Sequence, residues 1–104
     1  MLLICYGTRP EHLKLKPLFK EMTDLLPYKT LFTGQHNDIV HNRADYVLKI
    51  DNGRNRLDSI VSSIMNSINF QEEGITSVMV QGDTTTSLAM ALTAFNHNIP
   101  FIHL

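Results

Sequence analysis

A chain of 104 residues with nine Lys+Arg against ten Asp+Glu has a formal net charge of −1, which excludes a protein held to nucleic acid by neutralising phosphates. Hydrophobic residues at 43% and charged residues at 18% are an ordinary globular balance, excluding disorder, collagen and coiled coil. The single cysteine, Cys5, excludes an internal disulfide framework and a cysteine-rich zinc site.

The first element is the apolar run Leu2-Leu3-Ile4-Cys5-Tyr6, ended by Gly7. Such a run fits a strand buried on both faces of a parallel sheet. It has no basic residues before it and is shorter than the roughly 7–15 apolar residues of a signal-peptide core. No stretch approaches the roughly 20 apolar residues of a membrane span, so a cytoplasmic protein with no membrane contact is expected. Pro10 suits the start of a helix. Behind it Leu13, Leu15, Leu18, Phe19, Met22, Leu25 and Leu26 recur at helical spacing, and Pro27 ends the pattern. Pro17 interrupts it and is expected to kink or split the helix.

Tyr28 to Thr33 read as a second strand, stopped by Gly34. The segment 35–53 is weakly patterned, with a short helix expected from Gln35 to Val40 and extended chain from Val47 to Ile50. Asn52-Gly53 signals a turn. Leu57, Ile60, Val61, Ile64, Met65 and Ile68 form one helical stripe, with polar residues on the other face. Ile75 to Gln81 read as a third strand. From Thr84 to His97 follows a helix apolar almost all round, at Leu88, Ala89, Met90, Ala91, Leu92, Ala94 and Phe95, so burial on several sides is expected. Asn98 suits its C-terminal cap, and Phe101 to Leu104 make a fourth strand. Strands alternating with helices predict β-α-β units and a parallel, Rossmann-like sheet with ligands at the carboxyl ends of the strands.

Three strand-end loops therefore carry the candidate chemistry. Gly7-Thr8-Arg9-Pro10-Glu11, with Lys14 a turn further on, is neither a GxGxxG fingerprint nor a Walker loop. Arg9 and Lys14 beside a helix start would favour a phosphate or diphosphate. The same residues also make an ordinary tight turn with a solvated Arg and a Lys–Glu surface pair. In Thr33-Gly34-Gln35-His36, His36 stands just past a strand end, either to hydrogen-bond a ligand or simply to start a helix. His36 and His41 share no helix face and have no acidic partner at ligand spacing, so no metal is expected. In Gln81-Gly82-Asp83-Thr84-Thr85-Thr86-Ser87, Asp83 is a good helix N-cap. The hydroxyl run after it exceeds what a cap requires, so a catalytic or ligand-orienting carboxylate in the crevice stands beside the cap as the second reading.

Together Gly7-Thr8-Arg9-Pro10-Glu11, Lys14 with Pro17-Leu18, Thr33-Gly34-Gln35-His36, Gln81-Gly82-Asp83-Thr84-Thr85-Thr86 and Ile99-Pro100 resemble the UDP-N-acetylglucosamine 2-epimerase family in its non-hydrolysing bacterial form. The resemblance implies two Rossmann-like domains facing across a cleft, the glycosyltransferase-B-like arrangement. It implies interconversion of UDP-N-acetylglucosamine and UDP-N-acetylmannosamine, by anti elimination of UDP and its re-addition. It makes Asp83 a catalytic carboxylate, Arg9 and Lys14 cations near the diphosphate and sugar, and Gln35 and His36 part of a regulatory substrate loop. It implies no cofactor and a homodimer of the full-length enzyme. Residues 1–104 are then expected to be an incomplete N-terminal domain, inactive alone, because the family's Glu-Ala-Gly-Leu-Arg motif and C-terminal domain follow the fourth strand. A non-catalytic sugar-nucleotide-binding module and a glycosyltransferase of the same fold are the alternatives.

Overall fold

The computed structural model describes residues 1–34, 44–48 and 56–104. Its central strand is β1 (Leu2–Tyr6), buried along its whole length. Successive strand side chains point to opposite faces. Leu3 and Cys5 enter one core, with Leu31, Ile60, Ile64, Val78, Val80 and Met90, while Leu2, Ile4 and Tyr6 enter the other, with Leu15, Met22, Phe32 and Met79. Two covered faces explain why the strand reads as a continuous apolar run. Burial, and secondarily the charge of Glu11, pushes the Cys5 thiol far above its ordinary range.

α1 (Arg9–Met22) follows, with proline in its first turn. The expected split at Pro17 does not occur, since one helix runs through it. Pro17 is exposed, so solvent can meet the carbonyl that loses its donor. Leu15 before it and Leu18, Phe19 and Met22 after it pack on the same core, which ties both halves to one layer.

The remaining elements are β2 (Tyr28–Phe32), β3 (Tyr46–Val47), α2 (Arg56–Ser67), β4 (Ser77–Val80), α3 (Thr85–Asn96) and β5 (Phe101–His103). The strands all pair in parallel, in the order β3-β2-β1-β4-β5. Among the described residues the sheet thus has five strands where four were expected. The extended chain expected from Val47 overlaps β3 at that residue, but two residues are too few to show a strand pattern; its register, Leu31 opposite Tyr46, is fixed by pairing with β2. The expected helix at 35–40 and the end of the extended stretch at 49–50 lie outside the described residues.

α3 also differs from expectation. Ala89, Met90 and Ala94 are buried, but Leu88, Leu92 and Phe95 are 59%, 45% and 83% exposed. These three fall on one stripe at helical spacing, so the helix packs one face and displays an apolar other. It ends as its sequence predicts. Asn98 takes a left-handed φ of 56°, with Asn98 N–H bonded to the Phe95 carbonyl and Ile99 N–H to that of Ala94. That crossed pair is a Schellman ending.

Strand order positions the site. From β1 the chain moves outward to β2 and β3, then returns to lay β4 on the other side of β1. The order therefore reverses between β1 and β4, and a crevice opens there at their carboxyl ends.

Candidate functional site at the strand switch point

The two loops at this reversal are 7–11 after β1 and 81–84 after β4. A hollow of about 290 Å³ lies between them, lined by Thr8, Pro10, Glu11, Lys14, Gln81, Gly82, Asp83 and Thr84. Lys14 and Asp83, chosen from sequence for unrelated reasons, thus meet in one hollow. Arg9 is exposed at the start of α1 but does not line it. Gln35 and His36 lie outside the described residues. A second hollow of about 260 Å³ on the other side of the 82–84 loop shares Gly82, Asp83 and Thr84 and is walled by Leu88, Ala91, Phe101 and His103. His103 Nε2 donates to the Gly82 carbonyl, bracing the loop from β5. Gly82 has a φ of 86°, a conformation that a residue with a Cβ adopts only with strain.

A larger hollow, about 690 Å³, lies at the opposite ends of the strands, among Tyr46, Asn66, Asn69, Glu72, Glu73 and His97. It is not at the switch point and its lining includes no lysine or arginine. For an anionic ligand the smaller, cation-bearing crevice has the better chemistry.

Asp83 is not the cap of α3. Thr84 is: its backbone is extended and its Oγ accepts from Ser87 N–H at 3.4 Å. Asp83 sits one residue earlier, is exposed and is among the residues that line the crevice.

The hydroxyl run joins the loops, and Thr84 also lines the hollow. Thr84 Oγ donates to Glu11 Oε1 at 2.6 Å. Thr86 Oγ shares a hydrogen bond with Thr33 Oγ at 2.9 Å, both side chains being fully buried. Ser87 Oγ donates to the Gln81 carbonyl at 3.2 Å. One short stretch thereby ties the third loop to the first and the second.

Two residues that the sequence reasoning passed over matter here. Glu11 is 2% exposed, a rare burial for a carboxylate. Its Oε2 accepts from Gly7 N–H at 3.2 Å and its Oε1 from Thr84. Thr8 is the N-cap of α1, yet its hydroxyl makes no capping bond. It is the one buried side-chain oxygen or nitrogen among the described residues without a hydrogen-bond partner. An orphaned buried hydroxyl costs about 1–3 kcal/mol, and a ligand oxygen in the hollow it lines would remove that cost. The Thr-x-x-Glu spacing of a capping box, Thr8 to Glu11, was the available signal.

These features define a Rossmann-like α/β unit with a crevice at its topological switch point, holding a lysine, an exposed carboxylate and an unsatisfied hydroxyl. The family model for UDP-N-acetylglucosamine 2-epimerase matches residues 21–104. The UDP-N-acetylglucosamine 2-epimerase of Neisseria meningitidis is 33% identical over 113 aligned residues, covering 98% of this chain and 30% of that protein. That of Bacillus subtilis is 34% identical, covering 95% and 29%. The structure of the Neisseria enzyme bound to UDP-GlcNAc superposes with a TM-score of 0.84 at 32% identity, over 99% of this chain and 31% of that one. The Methanocaldococcus jannaschii UDP-GlcNAc 2-epimerase, solved with UDP-GlcNAc and UDP, gives a TM-score of 0.83 at 28% identity, over 99% and 32%. The chain belongs to the UDP-N-acetylglucosamine 2-epimerase family. It spans about 30% of the length of these curated relatives. Among the described residues no helix is long and apolar enough to cross a membrane.

Proposed function

We infer that this chain forms the N-terminal half of a cleft that interconverts UDP-N-acetylglucosamine and UDP-N-acetylmannosamine. The observation that carries the reading is the meeting of Lys14, Asp83 and the unpartnered Thr8 hydroxyl in one switch-point hollow. The relatives solved with UDP-GlcNAc or UDP support the ligand class. In the elimination, the C2 proton leaves to a base while the C1–oxygen bond to UDP breaks, giving 2-acetamidoglucal. Re-addition of UDP with the proton returned on the opposite face gives the epimer. Asp83 is the carboxylate on this chain for moving that proton. Lys14, with Arg9 at the start of α1, meets the charge that builds on the departing diphosphate. Thr8 donates to a substrate oxygen. Gln35 and His36 belong to the substrate loop that the family likeness implies. The C-terminal domain supplies the facing wall, and the full-length enzyme is a cytoplasmic homodimer.

The test is NMR of UDP-N-acetylglucosamine in D2O, with this chain alone and with the C-terminal portion of the Neisseria relative added. Deuterium entering C2 as UDP-N-acetylmannosamine forms, only when both parts are present, is the expected result. Binding without exchange in either mixture would leave a sugar-nucleotide-binding module. No binding of UDP or UDP-N-acetylglucosamine would overturn both readings.

A further inference from the structure

We propose that Glu11 is a positioning residue, a buried carboxylate that clamps the loop after β1 to the loop after β4 so that Lys14 and Asp83 act on one substrate. The proposal rests on the functional reading above for its substrate and on hydrogen-bond geometry for the clamp.

A carboxylate that is 2% exposed must be compensated or it will not stay ionised. Here the compensation comes from two separate parts of the chain. Gly7 N–H donates to Oε2 at 3.2 Å, and the Thr84 hydroxyl donates to Oε1 at 2.6 Å. Glu11 also lies in the first turn of α1 and holds the capping residue of α3, so the positive ends of two helix dipoles converge on it. The Thr84 hydroxyl works in both directions, donating to Glu11 and accepting from Ser87 N–H at 3.4 Å. The cap of α3 is thereby anchored to a residue 73 positions earlier in the chain.

Lys14 is carried by α1, three residues beyond Glu11, and Asp83 immediately precedes Thr84. The clamp therefore joins the two short segments that bear the candidate cation and the candidate proton-moving group. Both Glu11 oxygens accept hydrogen bonds from the loops themselves, so its part is to place Lys14 and Asp83 rather than to act as acid or base on the substrate. Its charge-assisted bonds are the strong kind, and fixed placement of reacting groups is where binding contacts gain most in rate.

The experiment uses Glu11→Gln, Thr84→Val and the double variant of this chain. Gln keeps the volume, but its amide has one accepting oxygen for two donors. Val keeps the shape of Thr84 without the hydroxyl. Thr84→Ser restores it. Affinity for UDP-N-acetylglucosamine is measured by calorimetry, and backbone amide spectra are recorded without ligand. Each single variant is expected to weaken binding about tenfold, the double variant no more than either single, and Thr84→Ser to recover the affinity. In the spectra, Thr84→Val is expected to shift the amides of Gly7 and Lys14. Losses that simply add, or binding unchanged in both single variants, would overturn the proposal. If the wild-type chain binds no UDP-N-acetylglucosamine, the functional reading fails separately. The clamp is then judged by the spectra, and unmoved Gly7 and Lys14 amides in Thr84→Val would overturn it.

Discussion

The division of labour between Asp83 and Thr84 yields the sharpest prediction. If Thr84 caps α3 and Asp83 faces the crevice, alanine at 84 damages the fold and asparagine at 83 does not. Thr84→Ala removes a cap bond at the long distance of 3.4 Å, which puts its contribution near the low end, about 0.5 kcal/mol. It also strips a 2.6 Å donor from the buried Glu11 carboxylate, costing about 1–3 kcal/mol. The total is about 1.5–3.5 kcal/mol. In a domain of this size that is a fall in Tm of roughly 6–28 °C. Asp83→Asn alters an exposed side chain outside the cap, so its cost stays within about 0.5 kcal/mol. Thermal unfolding followed by circular dichroism, with urea titration for the free energies, measures both. Equal destabilisation by the two variants, or a larger loss for Asp83→Asn, would refute the assignment of the cap to Thr84.

Other variants test the fold that carries the loops. Cys5 is fully buried with its thiol pushed up by burial, so it should resist maleimide in the native protein and react only as guanidinium unfolds the chain. Burial, with Lys16 as the second cause, lowers the His12 pKa below its ordinary 6.5. The unfolded chain then binds that proton more readily, so the contribution of His12 is present above pH 6.5 and is lost as pH falls through the lowered folded value. Urea titrations at falling pH should show this loss, reduced in His12→Gln. Asn98 holds a left-handed φ of 56°, so Asn98→Ala should cost about 1 kcal/mol and Asn98→Gly almost nothing, as read from urea midpoints.

Much of this architecture is legible in the residues. Leu2 to Tyr6 read as a doubly buried strand because helices cover both faces of the sheet. Asn98 marked a helix end because few side chains tolerate its backbone. The failures are those of local pattern against tertiary context. Pro17 would break an isolated helix, but α1 continues through it with packing residues on both sides. β3 exists only by pairing with β2. At the site, the loops and Lys14 could be picked out, while the roles of the hydroxyls could not. Thr84 and Thr86 bond to residues 73 and 53 positions away, Glu11 and Thr33, and no local spacing encodes such partners. Asp83 drew both the cap reading and the crevice reading in the sequence; the extended backbone at Thr84 gives the cap to Thr84 instead.

The central claim is that a sugar nucleotide sits in the crevice between β1 and β4. Amide chemical-shift mapping of the isotopically labelled chain during titration with UDP-N-acetylglucosamine tests it most directly. The account predicts the largest shifts at Thr8, Lys14 and Gly82 to Thr84. Shifts centred instead on Asn66 to Glu73 and His97, around the larger hollow at the other end of the strands, would contradict it.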